Sequence, residues 1–80
     1  MATTDDELVR DLEQEISDYL QLHPNAADSV DGIRFWWLGP RRKDVSVDQV
    51  RRALAALVRK GVVRQTDLHD GHVIYRVAFG

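Results

Sequence analysis

Eighty residues with 44% apolar content allow one domain around one core, in which about 60% of the unfolded surface is buried. The chain has no cysteine, which excludes a disulfide or a thiolate metal site, and no apolar run approaches the ~20 residues of a membrane span. The acidic, polar start from Met1 to Arg10 is the opposite of a secretory signal, so the expected setting is the cytoplasm.

A formal net charge of −2 conceals an asymmetry. Residues 1–31 hold nine acids (Asp5, Asp6, Glu7, Asp11, Glu13, Glu15, Asp18, Asp28, Asp31) against Arg10 alone. Residues 32–80 hold ten bases against Asp44, Asp48, Asp67 and Asp70. Local potential rather than net charge steers encounters, so the basic half suits an anionic partner. The alternative is a bipolar surface in which the two halves partly neutralise each other.

In chain order, Thr4-Asp5-Asp6-Glu7 reads as a capping box, with Thr4 as N-cap and Glu7 three residues on. Leu8, Leu12, Ile16, Tyr19 and Leu20 then recur at helical spacing, which predicts a first helix from about Asp5 to Leu22. Residues 1–4 are expected to be disordered. His23-Pro24 stops the helix, because the residue before proline avoids helical backbone, and His23 suits the negative end of the helix dipole. Ser29 is the N-cap of a short second helix through Val30, Ile33, Trp37 and on to Leu38, closed by Gly39-Pro40.

The loop Gly39 to Val45 carries Arg41-Arg42-Lys43. Ser46-Val47-Asp48-Gln49 forms a second capping box, and the third helix spans about Val47 to Lys60 with Gly61 as its C′ residue. Its apolar face is expected to hold Val47, Val50, Leu54, Leu57 and Val58. After Gly61 the period switches to two. Val62–Leu68 and His72–Phe79 read as strands around a two-residue turn at Asp70-Gly71. That turn pairs Leu68 with Val73, Thr66 with Tyr75, Arg64 with Val77 and Val62 with Phe79. It places Val62, Leu68, Val73, Tyr75, Val77 and Phe79 on the helices, and Arg76 outward.

The expected fold class is therefore α+β, a single domain over residues 1–80. Three helices followed by a hairpin, entered through Lys60-Gly61-Val62-Val63, resemble a winged helix-turn-helix with the hairpin as its wing. The segment from His23-Pro24 through Gly32-Ile33 into Trp36-Trp37-Leu38 also resembles a motif of small bacterial proteins, and that likeness brings no activity with it. The loop before the third helix is longer than the tight turn of many helix-turn-helix domains.

The winged-helix resemblance implies that the third helix is a recognition helix and that the chain is a DNA-binding, transcription-regulating protein. The face opposite the apolar stripe presents Gln49, Arg52, Ala56 and Arg59, side chains suited to base edges and close groove approach. Arg41, Arg42 and Lys43 are placed to hold phosphates, and the wing tip from His69 to His72 to reach a neighbouring groove. Winged helices also act as protein-interaction adaptors. On a helical wheel Val30, Ile33 and Trp37 cluster, whereas Phe35 points away and Trp36 is expected half-buried. Phe35 and Trp36 are therefore candidate contacts for a protein partner or a homodimer. His69 and His72, with Asp67 and Asp70 nearby, fall short of a closed four-ligand site, so no metal is expected. No phosphate loop, nucleophile elbow or other catalytic motif is legible, and neither an enzyme activity nor a cofactor is expected.

Overall fold

The computed structural model describes residues 4–78. The expected state of residues 1–3 and the expected pairing of Val62 with Phe79 lie outside these residues, as does the side chain of Thr4 with its proposed cap. Helix α1 covers Thr4–Leu22. Its inner stripe is Val9, Leu12, Ile16 and Leu20, with Leu8 and Tyr19 partly buried beside it. A strand that periodicity did not reveal, β1, follows at Ala27–Asp28.

Helix α2 runs over Val30–Gly32 and continues as a π-helical turn over Ile33–Trp37. Ser29 caps it as expected, its hydroxyl accepting from the Gly32 N–H. Gly32 leaves room for the Asp28 carboxylate: a Cβ there would lie 1.8 Å from it and displace it from the Ser29 N–H, which it accepts at 2.8 Å. The π turn is set by the Leu38 N–H donating to the Ile33 carbonyl, five residues back, at 3.2 Å. This widened pairing aligns residue 38 with residue 33, so Ile33, Trp37 and Leu38 all reach the core. A 3₁₀ turn at Pro40–Arg42 then leads to Val45, whose burial ties the long loop down.

Helix α3 spans Val47–Arg59, and its capping box is complete: Ser46 accepts from the Gln49 N–H, and the Gln49 side chain accepts from the Ser46 N–H. The buried face is centred on Val50, Ala53, Leu54 and Leu57, with Ala56 beside them. Two expectations are corrected here, since Val58 is exposed and Val47 only half-buried. The small side chains of Ala53 and Ala56 draw α1 onto that flank and rotate the buried arc towards it.

Strands β2 (Val63–Asp67) and β3 (Val73–Val77) form the hairpin, and β1 joins the far side of β3 in a three-stranded antiparallel sheet ordered β1-β3-β2. The turn is not the expected two-residue one. That turn needs positive φ at both central residues, and among the described residues no side-chain-bearing residue has it. His69, Asp70 and Gly71 instead make a three-residue loop, with only Gly71 at positive φ (+89°) and its N–H bonded to the Leu68 carbonyl. The register therefore shifts by one on β2: Val63 opposes Val77, Arg64 opposes Arg76, Thr66 opposes Ile74 and Asp67 opposes Val73. Tyr75 is buried, Val77 packs on the core and Arg76 is exposed, as expected, but Val63 is the β2 core residue and Leu68 is exposed. The protein is thus a small α+β domain of three helices and one antiparallel sheet, and none of its described helices is long and apolar enough to cross a membrane.

Candidate interaction surfaces

Most of the basic residues singled out by sequence lie along the seam where α3 and its preceding loop meet α1. Four acids of α1, Asp5, Asp6, Glu13 and Glu15, meet α3, its C-cap or the loop before it, whereas Glu7, Asp11 and Asp18 are exposed. Asp5 accepts from the Gln49 side-chain amide at 2.6 Å and pairs with Arg52, whose second amino group reaches Asp6 at 3.2 Å. The Gln49 amide and then the Arg52 guanidinium hold the Asp5 carboxyl below the ordinary carboxylate range. Asp5 foremost, and Asp6 after it, push the Arg52 guanidinium further up in turn.

Arg42 forks onto Glu15, with its Nε at 2.9 Å from Oε2, and this bond raises the guanidinium's own affinity for its proton. Lys60 reaches Glu13 at 2.6 Å; that side chain is 11% exposed and would otherwise be buried without a cation. Ala56 is buried under α1 rather than open to a groove. Of the remaining cations in this region, Arg41 is largely solvent-exposed at 3.8 Å from Glu15, and Lys43, Arg51 and Arg59 are exposed. The six residues expected to meet nucleic acid therefore separate. Gln49, Arg52 and Arg42 are engaged by α1, whereas Arg41, Lys43 and Arg59 face solvent.

The aromatic segment divides more sharply. Trp37 is buried and stacks on Tyr19, with ring centroids 4.8 Å apart and planes 9° from parallel, while Tyr19 also meets His23. Phe35 and Trp36 stand out of the same turn, 62% and 76% exposed. Trp36 is thus more open than the half-buried position expected, because the widened turn carries residues 35 and 36 together to its outer side. The Arg34 guanidinium lies 5.0 Å over the Phe35 ring and donates to the Val45 carbonyl at 2.6 Å, which braces the turn against the loop. At the hairpin tip, the His72 Nδ1 is 2.8 Å from the Asp70 carboxylate, which the histidine keeps below its ordinary range. Among the described residues, no cluster of three or more histidines and acids is placed to hold a metal.

Comparison with known proteins finds no matching family, no similar curated protein and no similar solved structure.

Proposed function

We propose that this chain is a winged helix used as a protein-interaction module, with Phe35 and Trp36 as its contact pair. The order helix, short strand, helix, helix, hairpin, with β3 between β1 and β2, supports the winged-helix reading. The observation that carries the interaction reading is the exposure of two adjacent large aromatics on a braced turn. Single surface aromatics are ordinary, but contiguous ones mark contact sites. Tyrosine, tryptophan and their neighbours dominate the energetics of protein contacts when they fill a partner's pocket.

A site-specific photo-crosslinker at position 36, compared with one at exposed Val58, tests this reading in cells. A discrete adduct from position 36 that disappears with Phe35→Ser supports it. Equal capture from both positions, or none from either, ends it.

A second reading, DNA binding through α3, is favoured by one observation: Arg51 and Arg59 are exposed and, among the described residues, have no carboxylate partner. Fluorescence anisotropy with a mixed-sequence duplex at low salt tests it. Affinity should fall steeply with salt and be lost in the double variant Arg51→Glu, Arg59→Glu.

A further inference from the structure

The one-residue shift of the hairpin has a consequence on its solvent side. It sets Arg64 directly opposite Arg76. The Ala78 N–H donates to the Val62 carbonyl and the Leu68 N–H to the His72 carbonyl, so the 64–76 couple falls on the hydrogen-bonded positions of the ladder. At such positions the two Cα atoms are about 5.5 Å apart and both side chains leave the same face. Both arginines are exposed, and among the described residues neither has a carboxylate within ion-pair distance. On the other flank of Arg76 stands Ala27 of β1, too short to cover it. The nearest acid on β2, Asp67, leaves the opposite face and takes the Gln65 amide, while Asp70 is occupied by His72.

Like charges placed directly across a ladder destabilise a sheet. Elsewhere in this molecule Arg42, Arg52 and Lys60 are each given a carboxylate of α1, whereas these two arginines are set against each other with none. Two guanidinium forks side by side present parallel N–H donors that match the oxygens of one doubly charged anion. We propose that Arg64 and Arg76 form a binding site for a phosphate dianion, either a phosphorylated side chain on a partner or a free phosphate. A phosphate monoester bears about −1.5 to −2 charges at neutral pH and offers three acceptor oxygens, enough to satisfy both forks, whereas a phosphodiester offers one charge. The Thr66 hydroxyl, one step along the same face, is placed to add a donor. The site is separate from the aromatic pair and stands or falls independently of it.

The test is NMR on the full ¹⁵N-labelled chain at constant ionic strength. It is titrated in turn with inorganic phosphate, capped phosphoserine, capped serine and dimethyl phosphate. Phosphate and capped phosphoserine should move the amides of residues 64–66 and 74–76 saturably, and the two controls should not. Arg64→Gln and Arg76→Gln should each weaken binding by about ten-fold or more, while Arg64→Lys keeps part of it. Thermal melts supply a second readout of opposite sign. In chloride Arg64→Gln should melt roughly 1–5 °C higher than wild type, because the opposed charge is gone. In phosphate the wild type should gain on the variant.

If capped phosphoserine binds about ten-fold tighter than inorganic phosphate, the ligand is a modified partner; equal affinities mark free phosphate, and both results uphold the site. Shifts that persist unchanged in the glutamine variants overturn it. So does a mixed-sequence duplex that perturbs the pair when the dianions do not.

Discussion

The α1–α3 seam and the Ser29–Leu38 segment treat their awkward side chains in opposite ways. Along the seam, Arg42, Arg52 and Lys60 each meet a carboxylate of α1, so part of the charge asymmetry between the two halves is consumed within the molecule. In the segment, one tryptophan is stacked inside and its immediate neighbour is left in solvent. The contrast teaches which feature of a sequence survives folding as an outward signal. A cation beside a helix of acids is answered locally, and its potential hardly reaches a partner. The aromatics on the outer side of the braced turn stay in solvent, Phe35 under the Arg34 guanidinium alone and Trp36 76% exposed, among the described residues.

The largest effect expected from this contrast comes from the adjacent tryptophans. Trp37→Ala removes a buried, stacked indole and should cost about 3–5 kcal/mol, as large core truncations do. Trp36→Ala and Phe35→Ser should each stay within about 0.5 kcal/mol, the range of ordinary surface changes. Urea unfolding of the three variants measures this. Equal losses at positions 36 and 37 would place both rings in the core and remove the basis for an aromatic contact surface.

The helices were legible because each has a local signature: the capping box at Ser46, the Ser29 cap and the 3.6-residue apolar stripe of α1. The inward face of β3 was legible from alternation alone. The register of β2 was not. It depends on whether Asp70 adopts positive φ, and an Asp-Gly pair serves both the two-residue turn and the three-residue loop with glycine last. Strand β1 is two residues long and cannot show a period. For the candidate sites, residue type and exposure on α3 were readable, but the partner helix was not. Periodicity tells which face of α3 is apolar, not that the alanines beside that face admit α1 and bring Asp5 and Asp6 against Gln49 and Arg52. The register itself is open to test: Val63→Ala should cost about 2 kcal/mol and Leu68→Ala much less, whereas the two-residue turn would reverse that order.

A smaller effect, near 1–2 kcal/mol, is expected at the inner end of the seam. Lys60→Met keeps the aliphatic stem but leaves the Glu13 carboxylate buried without its cation. Arg59→Met, one residue away and without a carboxylate among the described residues, should be close to neutral. Denaturation of the pair at neutral pH separates the two outcomes. If they lose the same amount, the seam's pairing is decorative and its cations remain available to a polyanion after all.

The smallest effect is the most specific in its pH dependence. Asp5 is held below its ordinary carboxylate range by the Gln49 amide and the Arg52 guanidinium. Its folded pKa therefore lies below its unfolded one, near 3.9. A group shifted in that direction contributes its stability in full above the unfolded value, and loses it as pH falls through the folded one. The contribution is modest, because the Arg52–Asp5 pair is 43% exposed on both sides and screened by salt. Melting curves of wild type and Asp5→Asn should accordingly run apart by a constant small margin from neutral pH down to about 5, then converge as the carboxyl protonates. The margin should also shrink in molar salt, where the Debye length falls to about 3 Å. A difference between the two proteins that persists unchanged into strong acid would mean that Asp5 acts through shape or helix propensity. In that event Arg52 would be freer than its geometry indicates, and the balance would tip towards a cationic α3 facing an outside anion.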